Sequence, residues 1–233
     1  MNWVSRFQCS VAFAAAVASC AADAYAQQTG GIAPLYAHAP RASQRAASAR
    51  LTLPNVASNK SWYANWIMLV GESPAVGHQM FVQIGMIRRP SADPHLHLFI
   101  AWHEAGAANL EYRQYGHLTD GVHRFSITQS ADRFSLLADG KEIARLRLPV
   151  LARASRTYFE IGPEVYAQGD ALAGDIVDAA WRTAWGWDAA SDEHVCRYNN
   201  HGVYLRYDRG RWSAHGRFDR NAPSAFDGSC AAI

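Results

Sequence analysis

Glu160 and Glu164, in Tyr158-Phe159-Glu160-Ile161-Gly162-Pro163-Glu164-Val165-Tyr166-Ala167-Gln168, are the carboxylates whose type and spacing suit acid/base chemistry. On an unbroken strand an even separation puts both on one face, and two carboxylates are what glycosidic cleavage needs. Gly162-Pro163 between them reads as a strand break, which would leave both acids solvated at an edge or turn. His95, His97 and His103 share a strand parity that would suit a divalent metal, but no partner carboxylate is evident on it, so they read as surface histidines with no metal. The rings of Tyr63, Trp66, Trp102, Tyr112 and Tyr115 suit stacking on sugar faces, with Gln83, Arg113 and Gln114 supplying hydrogen bonds. The same rings also suit a hydrophobic core.

The elements that must position these groups read as strands. From residue 61 the chain is a succession of short apolar runs separated by turn residues: Trp62–Val70, Met80–Ile87, Leu96–Trp102, Leu110–Tyr115, His123–Thr128, Phe134–Ala138 and Ile143–Leu148. Asp139-Gly140 between two of these arms is a two-residue hairpin turn, because both positions tolerate positive φ. In the second arm Ile143 lies an odd number of steps from Leu146 and Leu148, so the alternation is imperfect there. A second hairpin pairs Val203–Tyr207 with Arg211–His215 across Asp208-Arg209-Gly210, and Asp175–Trp187 reads as a strand, though its alanines also allow a helix. Many short strands in one aromatic-rich chain predict two antiparallel sheets packed face to face, a jelly-roll-like all-β sandwich.

At this point the chain resembles the concanavalin A-like lectin/glucanase superfamily. The resemblance covers roughly residues 60 to 185 and rests on Phe81-Val82-Gln83-Ile84-Gly85, Phe99-Ile100-Ala101-Trp102, the Phe134–Ile143 hairpin and Tyr158-Phe159-Glu160-Ile161-Gly162. It implies a curved sheet with a concave face. Members bind sugars, cleave polysaccharides, cleave peptides or do no known chemistry, so it does not choose among these. The Tyr158 to Gln168 segment is similar to an alginate-lyase signature, yet Glu160 stands where that signature has lysine and Gly85 where an upstream motif has histidine. The glucanase pattern Glu-x-Asp-x-x-Glu is missing. The glutamic peptidases of the superfamily are similar in using one Gln and one Glu on a sheet, which would pair Gln83 with Glu160. Ala101-Trp102-His103-Glu104 also looks like a strand of that family.

Composition bounds the partners. The formal charge is +2 with only two lysines, so there is no cationic stripe for nucleic acid. Arg6, the apolar run Val11–Ala18 and Ala24-Tyr25-Ala26 form an export signal over residues 1–26, while Val17-Ala18-Ser19-Cys20 also resembles a lipobox that would place a lipid on Cys20. No later run is long enough to span a bilayer. Either cut leaves Cys196 and Cys230, which in an oxidising compartment pair most simply with each other, closing a loop worth about 4 kcal/mol. Residues 27–49 have few apolar anchors and read as a flexible leader, with folded structure from 50 to 233 ending in a disulfide-linked hairpin extension. The reading is an exported, periplasmic or extracellular glycan-binding or cell-surface module without cofactors. Its ligand would contact Trp102, Tyr112, Tyr115, Gln83 and Arg113. The alternative is a hydrolase of the same fold using Glu160 with Gln83.

Overall fold

The computed structural model describes residues 30–37, 44–72, 80–89, 93–105, 107, 110–183 and 186–227, and places them in two antiparallel sheets with no α-helix among them. Sheet 1 runs in the order β17 (Ala225–Asp227), β14 (Val195–Asn199), β2 (Leu35–Ala37), β11 (Arg156–Val165), β4 (Tyr63–Glu72), β5 (Met80–Arg89), β6 (Asp93–His103) and β7 (Glu111–Leu118), with β1 (Gly31–Ile32) also on β11. Sheet 2 runs β10 (Lys141–Arg147), β9 (Arg133–Ala138), β8 (Val122–Ser130), β3 (Ala46–Thr52), β12 (Asp175–Thr183), β16 (Arg211–Gly216) and β15 (Val203–Asp208), with β13 (Gly186–Ala189) on β12.

Two kinds of strand build the two sheets. In β8 and β9 the apolar residues alternate, so Phe125, Ile127, Phe134 and Leu136 are buried between the sheets while their neighbours face water. In β4, β5 and β11 nearly every side chain is buried on both faces. One face, with Ile67, Leu69, Val82 and Ile84, packs into the core between the sheets. The other carries a separate apolar cluster that includes Trp66, Met68, Phe81 and Phe99. This outer face of sheet 1 is where the candidate chemistry lies.

The turns follow the residues. Asp139 (φ 50°) and Gly140 (φ 79°) both adopt the left-handed conformation between β9 and β10, as do Arg209 and Gly210 between β15 and β16. The uneven alternation at Ile143 is a β-bulge, since the register with β9 shifts between Glu142 and Ala144.

Three expectations are corrected. The leader assigned to residues 27–49 holds β1, β2 and the first half of β3. Gln44 is buried, its side-chain oxygen accepting the Phe159 N–H at 2.8 Å, and the few apolar residues of this segment are anchors after all: Leu35 is buried in the core between the sheets, and Ile32 and Tyr36 are buried beside Cys196 and Tyr198. The C-terminal hairpin is no extension: β16 pairs with β12 and buries Trp212 completely, so the hairpin belongs to sheet 2. Gly162-Pro163 does not break its strand, because β11 pairs with β4 without a gap from Arg156 to Val165. Cys196 is buried on β14. Cys230, the signal residues and the lipobox lie outside the described residues. Among the described residues no helix is long and apolar enough to cross a membrane.

Across sheet 1, Gly162, Trp66 and Gly85 are register partners, so the large indole is flanked by two residues without side chains. A Cβ on Gly85 would come within 2.6 Å of Trp66 Cβ and still closer to the Asn65 carbonyl oxygen. The histidine of the alginate-lyase motif therefore has no room at this position. Gly85→Ala is expected to destabilise the protein by about 1–3 kcal/mol in urea denaturation. Gly116→Ala, where nothing lies within 4 Å of the added carbon, should be close to neutral.

Candidate functional site

The site begins with register. In antiparallel sheets directly paired residues point to the same face. One row across sheet 1 reads Cys196, Tyr36, Glu160, Met68, Gln83, Ala101, Tyr112, on β14, β2, β11, β4, β5, β6 and β7 in turn. Glu160 and Gln83 therefore share the outer face with one strand between them, their Cα atoms about 10 Å apart from two strand spacings. Their side chains project the same way over Met68. Glu164 lies on the same face four residues further along β11, in a row with Ala64, Ile87, His97 and His117.

Both glutamates and Gln83 are almost wholly inaccessible: Glu160 is 0%, Glu164 2% and Gln83 1% exposed. Among the described residues neither oxygen of Glu160 and neither polar atom of the Gln83 amide has a partner at full hydrogen-bond geometry. Burial pushes the Glu160 carboxyl up to about 8, opposed by a looser interaction with Tyr36 and reinforced by the charge of Glu72. Burial also pushes Glu164 up to about 8, opposed by Trp66 and by the Tyr166 hydroxyl, which donates to Oε2 at 3.4 Å. At neutral pH each acid holds its proton, since an ionised carboxylate there would have lost its water without gaining a cation. The half-buried rings of Trp62, Tyr112, Tyr158 and Tyr166 pack against the apolar cluster of this face.

The sequence-predicted residues separate into two groups. Glu160, Glu164, Gln83, Trp66 and Tyr112 come together on the outer face. Trp102, Tyr115 and Arg113 do not join them: Trp102 and Tyr115 pack against the core between the sheets, and the Arg113 guanidinium lies over the Trp102 ring at 5.1 Å. The expected ligand set Trp102, Tyr112, Tyr115, Gln83 and Arg113 is thus divided by the sheet, because Trp102 follows Ala101 and successive side chains alternate. Tyr63 is buried in the same core, its hydroxyl donating to the Pro54 carbonyl at 3.1 Å. Glu104 accepts the Val150 and Leu151 N–H groups at 2.8 and 3.1 Å, which makes it a brace for the turn after β10.

Glu160 and Glu164 are about 13 Å apart along the strand, beyond the roughly 5–9.5 Å between carboxyl groups that glycosidic cleavage uses. The pair that can act on one bond is Glu160 with Gln83. Tyr36, from the segment read as leader, is the neighbour of Glu160 that the sequence did not reveal. Its only signal is a lone aromatic in Pro34-Leu35-Tyr36.

No family model and no curated protein matches this sequence. Among solved structures, scytalido-glutamic peptidase with a transition state analog inhibitor superposes at a TM-score of 0.56 and 11% identity, over 80% of this chain and 98% of its own. The same peptidase with a peptide-based transition state analog gives 0.52 and 10%, over 80% and 97%. A glycoside hydrolase family 16 endo-glucanase from Bacteroides ovatus gives 0.38 and 10%, over 59% and 67%. The likeness to the peptidase is one of fold alone: a β-sandwich of two antiparallel sheets.

The raised acids carry a consequence for stability. Each folded-state pKa lies above the ordinary 4.5, so the stability linked to its proton is complete below about 4.5 and is lost as pH rises through about 8. The denaturation midpoint should therefore fall between pH 5 and pH 8, and the Glu160→Gln, Glu164→Gln double variant should flatten that fall. A wild-type midpoint constant across this range would contradict the burial of both acids as neutral groups.

Proposed function

We propose that the protein is an extracytoplasmic hydrolase of peptide bonds, with Glu160 as acid/base and Gln83 as oxyanion donor. The observation that carries this reading is the register row in which these two polar groups, both buried, stand either side of Met68. A carboxyl and an amide so placed serve two atoms of one reaction. Glu160 takes a proton from a water held between them, and the water oxygen attacks the scissile carbonyl carbon. The Gln83 Nε2–H donates to the oxyanion that develops. Glu160 then returns the proton to the leaving nitrogen as the C–N bond breaks, giving a carboxylic acid and an amine. The solved peptidase that shares the fold over 80% of this chain adds to this reading. Because the pair is buried, a substrate enters by displacing rings that pack on this face, Tyr112 and Tyr158 among them.

Glu160 must ionise to act as the base, and its carboxyl is pushed up to about 8, so peptide turnover should rise with pH through that value. In a peptide-library assay, Glu160→Gln is expected to lower turnover at least ~100-fold and Gln83→Ala ~100-fold or more, with both variants still folded by near-UV circular dichroism. Turnover indifferent to Glu160→Gln would overturn the proposal. So would saturable glycan binding on an array without turnover, which would restore the glycan-binding module.

The same reading has the chain exported by its N-terminal signal, cut after Ala26, and Cys196 bonded to Cys230. The burial of Cys196 on an outer strand of sheet 1 supports a disulfide that ties the C-terminal segment to that sheet. Intact mass of the exported protein should begin at Gln27 and fall two hydrogens short of the reduced chain. A diacylglyceryl adduct on Cys20 would instead identify a lipoprotein.

A further inference from the structure

The outer face of sheet 1 holds a second cluster, unrelated to the Gln83–Glu160 pair, where β6 and β7 begin and end. Asp93, His95 and His117 each offer a ligand atom, and these atoms all lie within 4.8 Å of one another. The His117 ring centroid is 4.7 Å from that of His95 and 4.5 Å from that of His97. Two register shifts assemble the group. Between Ile87 and Arg89 of β5, β6 runs from His97 back to Asp93, four steps against two, and this slack folds Asp93 back beside His97. Between His97 and Phe99, β7 runs from His117 to Gln114, three steps against two, which leaves His117 directly opposite His97.

Asp93 is held as a ligand should be held. One carboxylate oxygen accepts the His95 backbone N–H at 3.0 Å and the other lies 2.7 Å from His97 Nε2. Arg89, the register partner of Asp93, makes no hydrogen bond to it among the described residues: its guanidinium lies 3.1 Å above the Trp62 ring and donates to Gln114 Oε1 at 3.2 Å. His95 and His117 are exposed, so water can complete a coordination shell.

We propose that Asp93, His95 and His117 bind one divalent transition metal of the zinc, nickel or copper class, with His97 orienting the carboxylate. Two imidazoles and one carboxylate form the borderline donor set that such ions prefer over calcium or magnesium. Tetrahedral bonds of about 2.05 Å bring ligand atoms roughly 3.3 Å apart, so the three side chains close by side-chain rotation alone. Along β6 alone the sequence offers His95, His97 and His103 on one parity and no partner carboxylate, which is why it reads as having no metal. His103 pairs with Phe81, two residues beyond Ala101 and six beyond His97, and takes no part. The missing ligands were Asp93, hidden before Pro94, and His117 on the next strand.

The test uses the tag-free exported protein with Co²⁺ followed by visible absorption and Zn²⁺ by calorimetry. One metal per chain is expected. His95→Asn and His117→Asn should each weaken binding at least ~100-fold and His97→Asn about tenfold, while His103→Asn and His215→Asn leave it unchanged. Thermal melts of each variant without metal check that it folds. The proposal is overturned by an absence of saturable binding, or by binding that survives both His95→Asn and His117→Asn. Neither result bears on peptide turnover.

Discussion

Strand β11 crosses Gly162-Pro163 unbroken because the neighbouring chain is itself interrupted there, and the rest of sheet 1 depends on that continuity. On one side β11 pairs with β4 over its whole length. On the other, β2 has paired only with Glu160 and Ile161, and β1 pairs again at Glu164 and Val165. Between them Ala33 and Pro34 pass so close that a Cβ on Gly162 would lie 2.6 Å from the Ala33 carbonyl oxygen. The Pro163 carbonyl accepts the Ala33 N–H at 3.1 Å, so the proline's missing N–H faces the same junction, where no ladder bond is required of it. A glycine and a proline that would end an isolated strand are here the two residues that let two short strands dock end to end on a central one.

From that continuity comes the parity of the outer face. Glu160, Gly162 and Glu164 all look outward, and Trp66 fills the space between the bare backbones of Gly162 and Gly85. The face is apolar enough to hold two carboxyl groups neutral, which makes them unlike ordinary surface acids. A carboxyl that keeps its proton to about 8 is a stronger base once ionised, but only a small fraction of it is ionised at lower pH. The same low polarity strengthens any hydrogen bond that Gln83 makes to a developing negative charge.

The fold alone does not assign this chemistry, since sandwiches of this architecture host unrelated activities. Position within the sheet is what separates the possibilities. Two glutamates along one strand are too far apart for one bond, whereas a glutamate and a glutamine across one intervening strand are not. At the far edge of the same face, the two register slips of β6 gather histidines and an aspartate into a separate polar group. One face thus carries two constellations, each produced by the way neighbouring strands are aligned.

The sequence alone determined the class of fold, most strand positions and the hairpins. Alternation in β8 and β9, and Asp139-Gly140 between β9 and β10, are local signals, with one face in water and both turn residues tolerant of positive φ. It also named Glu160 and Gln83 as a pair, through resemblance and not through periodicity. The sequence could not assign faces in β4, β5, β6 and β11. Where a strand is buried on both sides its apolar run is continuous, and nothing in it marks which residues look inward; Trp102 and Ala101 are equally plausible on either face until a partner strand sets the register. Nor could it find β1 and β2, which are too short to show a period and whose few apolar residues, Ile32, Leu35 and Tyr36, are buried only because the strands pair with β11. Only the tertiary structure decided that Tyr36 joins Glu160, that Trp102 leaves it, and that His117 meets Asp93, because each of those contacts lies between strands and is carried by register, which no single strand encodes.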